Sequence, residues 1–201
     1  MDIILASANI NKIKEFSAYF KNLPITLLPM SQFGLGEIEE TGVTFVENAL
    51  IKAREVSAQT GLPAIADDSG LVVDALNGAP GVYSARYAVE GTDEARNAKL
   101  LHALEGVEIA KRTARYYSII VWLENADDPA PIIVQGVWEG SILLSEQGSG
   151  GFGYDPLFYV PTHDCSAAEL AMDEKNRLSH RGQAMLKLQA YFDNVKCDAR
   201  G

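Results

Sequence analysis

Apolar positions along the chain fall by turns into strand-length runs and helical spacing. Ile3 to Ala6 is a short apolar run that predicts a buried strand, and Ile13, Phe16 and Phe20 then recur on one helical face. Ile25 to Leu28 predicts a second strand. Thr44-Phe45-Val46-Glu47 has the capping-box pattern and predicts a helix to about Thr60, closed by Gly61, with Ala49, Ala53 and Val56 on its packed face. Two apolar runs, Ala64 to Ala66 and Leu71 to Val73, then flank Asp67-Asp68-Ser69-Gly70, whose composition is that of a turn. Asn77 to Gly81 reads as a turn or hinge. Thr92 caps a helix through Leu104 that buries Ala95, Leu100, Leu101 and Leu104. Arg112 to Leu123 is the strongest strand pattern, and Ile132 to Glu139 is its expected antiparallel partner across a loose connection. Phe158 to Val160 continues as a strand. Ser166-Ala167-Ala168-Glu169 repeats the capping box and predicts a short helix, Lys175 precedes a turn, and a last helix turns Met185, Leu186, Leu188 and Phe192 inward.

Composition narrows the function classes. At 201 residues, 47% apolar and 22% charged, the chain suits one substantial domain or two small lobes sharing a core. No repeat or linker divides it, so residues 1–201 read as a single domain. No apolar run approaches the ~20 residues of a membrane span, and the N-terminus lacks a basic leader. Cys165 and Cys197 make neither a disulfide framework nor a zinc pattern, which indicates a reduced, cytoplasmic protein with no membrane partner. A net charge of −10 opposes a nucleic-acid polymer as partner. It leaves open a small anion held by a local group of Lys and Arg with a divalent cation.

Four segments could supply such a site. Ser7-Ala8-Asn9-Ile10-Asn11-Lys12 joins a strand to a helix, where unpaired N–H groups and a lysine suit phosphate, although Ser and Asn there also serve as plain caps. No GxxxxGK[ST] pattern accompanies it, so a P-loop is not indicated. Asp67 and Asp68 close a buried run, and Glu37, Glu39 and Glu40 precede them in an acidic loop; together these fit a metal site or a solvated turn. Gly148 to Pro156 carries four glycines and the aromatics Phe152 and Tyr154, either a flat platform for a base or a hairpin tip with its rings turned inward. His180 and Arg181 open a helix at positions that favour anions, a conflict that a bound anion would relieve. A metal-dependent enzyme acting on a nucleoside phosphate unites the four.

The blocks SANINK, EETGVTFVENALIKA, AIADDSGLVVDALNGAPGVYSARYA, GGFGYDPLF and SHRGQA resemble the XTP/dITP diphosphatases, the non-canonical purine nucleoside triphosphate pyrophosphatases related to inosine triphosphatase. The resemblance runs from about Ile3 to Leu188, with the motifs in order. It implies an α/β fold: a long, twisted, mixed β-sheet flanked by helices, with two lobes and a central cleft. It implies hydrolysis of dITP, ITP and XTP to monophosphate and pyrophosphate with Mg²⁺ by a homodimer, which keeps these nucleotides out of DNA and RNA. By position, Ser7, Ala8, Asn9, Ile10, Asn11 and Lys12 would bind triphosphate. Asp68 would be proton acceptor and Mg²⁺ ligand, with Glu39 or Glu40 as second carboxylate. Ser69, Phe152, Gly153, Tyr154, Asp155, Lys175, His180 and Arg181 would hold the nucleotide. The family commonly has Thr-Gly-Asn where this chain has Ser7-Ala8-Asn9. Two other classes stay open, a sister pyrophosphatase acting on modified pyrimidine nucleotides or dUTP and a catalytically silent nucleotide-binding protein.

Overall fold

A computed structural model of the protein describes residues 1–21 and 23–198, with the side chains of Asn11 and of 195–198 outside the description. Seven strands and five α-helices follow one another as β1 (Asp2–Leu5), α1 (Ile10–Phe20), β2 (Thr26–Pro29), α2 (Phe45–Thr60), β3 (Ala64–Val73), α3 (Asp93–Ala103), β4 (Thr113–Leu123), β5 (Ile132–Ile142), β6 (Phe158–Val160), β7 (Cys165–Ser166), α4 (Met172–Leu178) and α5 (His180–Asp198). The strands form one sheet in the order β2-β1-β3-β4-β5-β6-β7. β1 is parallel to β2 and β3, whereas β6 is antiparallel to β5 and β7, so the sheet is mixed and the fold is α/β, as expected. None of the described helices is long and apolar enough to cross a membrane.

The chain divides into two compact units, residues 1–68, 118–135 and 183–201 in the first and residues 69–117 and 136–182 in the second. The first unit has two apolar layers. Phe16 and Phe20 of α1 meet Trp122 of β4 and Leu188 and Phe192 of α5 in one, while Ala49, Ala53 and Val56 of α2 meet Ala64, Ala66 and Val121 in the other. The second unit centres on Leu71, Leu100, Tyr116, Trp138, Tyr154 and Phe158. Both tryptophans are therefore core residues.

Three expectations need correction. Asp67-Asp68-Ser69-Gly70 is no turn; β3 runs unbroken from Ala64 to Val73 and buries both aspartates. The capping box at Thr44 forms as expected, with Thr44 Oγ1 accepting the Glu47 N–H and Glu47 bonding back to the Thr44 N–H. Its counterpart at Ser166 starts no helix. Only the Glu169 half of the box forms, Glu169 Oε2 accepting the Ser166 N–H at 2.8 Å, while the Ser166 hydroxyl is turned to the Gln147 carbonyl, to which it donates at 2.7 Å; α4 begins only at Met172 and takes Lys175 inside it. Leu186 is the third case, 49% exposed, although Met185, Leu188 and Phe192 beside it are buried.

Candidate active site

In the first unit, two lysines meet the aspartates of β3. The turn after β1 is built by its own side chains: Ser7 Oγ accepts the Asn9 N–H at 3.2 Å and Asn9 Oδ1 accepts the Lys12 N–H at 3.3 Å, which caps α1. Ala8, Asn9 and Ile10 are exposed at its surface, and the Asn11 side chain lies outside the described residues. Lys12 Nζ reaches Asp67 Oδ2 at 2.8 Å, and Ser118 Oγ donates to Asp67 Oδ1 at 2.6 Å. Lys52, from α2, pairs with Glu40 at 2.6 Å and Asp68 at 3.2 Å and donates to the Asp67 carbonyl at 2.9 Å. Alternation along β3 explains the division, because neighbouring side chains of a strand leave on opposite faces. Asp67 is taken by Ser118 and Lys12, Asp68 by Lys52.

Asp68 is incompletely satisfied. Its Oδ2 is buried and has no hydrogen-bond partner among the described residues. Burial raises its carboxyl above the ordinary aspartate value, and Glu40 and Asp67 add to this against the pull of Lys52 and Lys12. Burial alone would lower the Lys52 ammonium, but Asp68 and Glu40 raise it above the usual lysine value, so it stays charged. Asp67, Asp68 and Glu40 thus gather around Lys12 and Lys52. A buried carboxylate oxygen with no hydrogen-bond partner among the described residues fits a cation. Among the described residues, no three or more His, Cys, Asp or Glu side chains are grouped to enclose a metal. Glu40 and Asp68 alone match the habit of Mg²⁺, which takes one or two carboxylates and completes its shell with phosphate oxygens and water. Glu39 is exposed and takes no part in these contacts.

The second unit holds the glycine–aromatic loop and the cations after it. Asp155 is its anchor: Oδ2 accepts the Phe152 N–H at 2.8 Å and pairs with Lys175 Nζ at 2.5 Å. A Cβ on Gly151, whose φ is +73°, would lie 2.2 Å from that same oxygen, so only glycine lets the loop fold onto the carboxylate. Burial raises the Asp155 carboxyl, opposed by Lys175, the Phe152 N–H and Arg181. Lys175 Nζ lies 4.8 Å from the centre of the Phe152 ring and the Arg181 guanidinium 6.0 Å from it, so this half-buried ring is bordered by two cations. Arg181 Nη2 also donates to Ser69 Oγ at 3.0 Å. Gly153 N–H donates to Asp93 Oδ2 at 2.7 Å. The two aromatics divide the alternatives that the sequence left open. Tyr154 turns into the core, with its hydroxyl donating to the Ser84 carbonyl at 2.8 Å, while Phe152 stays partly open beside the cations.

Lys52 and Asp93 escaped the sequence reading. Lys52 looks like a solvated position of α2, and only its place within the block EETGVTFVENALIKA hinted at a role. Asp93 reads as an ordinary first-turn acid.

Comparison with known proteins agrees with these motifs. The model of the Ham1 family matches residues 3–191. A dITP/XTP pyrophosphatase of Thioalkalivibrio sulfidiphilus is 56% identical over 186 residues, 92% of this chain and 95% of that one. One from Pseudomonas aeruginosa is 53% identical over 187 residues, 93% and 94% of the two chains. Among solved structures, a HAM1 protein from Coxiella burnetii superposes with a TM-score of 0.92 at 51% identity, covering 96% of this chain and 99% of its own. The Staphylococcus aureus Ham1 protein gives 0.88 at 38%, covering 97% and 100%.

Proposed function

The chain belongs to the Ham1 family, and we propose that it hydrolyses dITP, XTP and ITP to the nucleoside monophosphate and pyrophosphate. The observation that carries the reading is Asp68, a buried carboxylate with one oxygen on Lys52 and the other without a partner among the described residues. The names of its relatives, dITP/XTP pyrophosphatases more than half identical over most of the chain, support the choice of substrate.

Asp68 accepts the proton of the water that attacks the α-phosphorus, and burial, which raises its carboxyl, suits it to that task. Lys52 holds the other oxygen and fixes the carboxylate's orientation. Lys12 and the N–H groups at the start of α1 bind phosphate, with Asp67 positioning the ammonium. A divalent cation such as Mg²⁺, held by Glu40 and Asp68, would neutralise charge on the phosphate oxygens. The second unit's cluster takes the base: Phe152 offers a ring face, and His180, Arg181 and loop N–H groups offer donors to a 6-oxo group. Adenine would set its 6-amino donor against them, and such unpaired contacts discriminate strongly. Homodimerisation, which rests on the resemblance, and a cytoplasmic location, which rests on the cysteine usage, complete the proposal. Light scattering at twice the 21.8 kDa chain mass tests the first.

A substrate panel tests the reaction. Purified protein with Mg²⁺ is expected to release pyrophosphate from dITP and XTP far faster than from dATP or dUTP. No pyrophosphate from dITP and XTP, or a preference for dUTP, would overturn the proposal.

A further inference from the structure

We propose that Tyr116 is a positioning residue for base selectivity, holding the Phe152–Asp155 loop and His180 in fixed relation within the second unit. The inference rests on the reading that this cluster takes the base. Tyr116 lies on β4, only 7% exposed and with no route to substrate of its own. Its ring lies parallel to the His180 imidazole, with centroids 4.7 Å apart and planes 9° apart. Its ring also packs on Phe158 at 4.7 Å, and the Phe158 N–H donates to the carbonyls of Tyr154 and Asp155 at the end of the loop. One side chain therefore packs both on His180 and on the residue whose N–H closes the loop.

Three contacts among the rings make Tyr116 a rigid reference. Phe158 packs at 4.7 Å and Trp138 at 6.4 Å on its ring, and Trp138 and Phe158 also pack on each other at 5.1 Å. The loop is pinned again from α3, where Asp93 accepts the Gly153 N–H and pairs with Arg96, which also donates to the carbonyls of Ala85 and Gly91. The Tyr154 hydroxyl is fixed on Ser84. With Tyr154 held at its hydroxyl and its carbonyl, the backbone between Phe152 and Asp155 has little freedom to turn. His180, by contrast, sits on the first turn of α5, and the stack on Tyr116 sets the plane of its ring. Selectivity between a 6-oxo and a 6-amino base requires donors that do not shift to suit the wrong partner. Rigidity of this kind changes discrimination more than turnover.

The test compares kcat and KM on dITP and dATP for three variants, each checked for folding by thermal melting. Tyr116→Leu removes both contacts and is expected to lower the ratio of kcat/KM, dITP over dATP, by about tenfold, chiefly through a higher KM for dITP. Tyr116→Phe keeps the ring against His180 and Phe158, so the ratio is expected to stay within about twofold of the unmodified chain. Leu100→Ala, in the same core on α3, is expected to lower the melting temperature and leave the ratio unchanged. A folded Tyr116→Leu that keeps the ratio within twofold of the unmodified chain overturns the inference, and so does a Tyr116→Phe that lowers the ratio as far as Tyr116→Leu. So does a Leu100→Ala that lowers the ratio as far as Tyr116→Leu. Phe152→Ala and His180→Ala separate the two levels: if neither moves the ratio, the base-site reading itself fails, and if they move it while Tyr116→Leu does not, only the inference about Tyr116 fails.

Discussion

Replacing Asp67 by Ala tests whether the first unit's cluster is held by charge from within the fold. Asp67 is 1% exposed, and its two oxygens engage Lys12 at 2.8 Å and Ser118 at 2.6 Å. Asp67→Ala leaves the Lys12 ammonium without that carboxylate and removes the acceptor of a fully buried hydroxyl. Breaking a buried pair by removing one partner costs about 3–5 kcal/mol. The Lys12 side chain is 16% exposed and can recover some hydration, which brings this to the low end, about 3 kcal/mol. The Ser118 hydroxyl adds about 1 kcal/mol. A total of about 4 kcal/mol predicts a fall in Tm of roughly 8–16 °C for a chain of this size. Thermal unfolding followed by circular dichroism measures it. The charge argument makes a sharper demand: adding Lys12→Met to Asp67→Ala removes the stranded ammonium, so the double variant should regain about 2 kcal/mol over Asp67→Ala alone. A loss below ~1 kcal/mol, or strict additivity of the two substitutions, would refute the reasoning.

Asp68→Asn is expected to keep the fold and nucleotide binding while lowering kcat by roughly 10²–10⁴; near-normal turnover in a folded variant rules out Asp68 as the proton acceptor. Treatment with a chelator should abolish pyrophosphate release and Mg²⁺ restore it, and undiminished activity after exhaustive chelation would remove the cation from the proposal. Asp74 supplies a pH prediction. Its hydrogen bonds from Arg115, then Thr113, hold its carboxyl below the ordinary aspartate value, so its stabilisation is present above the unfolded pKa and is lost as pH falls through the folded one. The pair is partly solvent-screened, so a double-mutant cycle of Asp74→Asn with Arg115→Met should give a coupling of no more than ~1 kcal/mol at pH 7 that vanishes in strong acid; coupling that persists there contradicts the assignment.

Local signals located the elements of this fold where a local partner completes them, and misled where a distant partner intervenes. Thr44 and Glu47 satisfy each other across three residues, so the box alone sufficed to place the start of α2. Ser166 and Glu169 carry the same letters, but the Ser166 hydroxyl is claimed by a carbonyl 19 positions away. The aspartates repeat the lesson at the site. Asp-Asp-Ser-Gly composes a turn, and nothing nearby in sequence argues for burying two adjacent carboxylates. What permits it lies elsewhere in the chain, Lys52 and Lys12, which reach the Asp67 carbonyl from 15 and 55 positions away. Motif resemblance singles out Asp68 and leaves Glu39 and Glu40 open beside it; Lys52 from α2 pairs with Glu40, whereas Glu39 is exposed. The strand itself then divides the labour. Because β3 is extended through both aspartates, they leave on opposite faces and cannot exchange partners. Asp67, with Lys12 and Ser118 on its two oxygens, is suited to positioning an ammonium. Asp68 keeps an unpartnered oxygen, and chemistry requires such an atom.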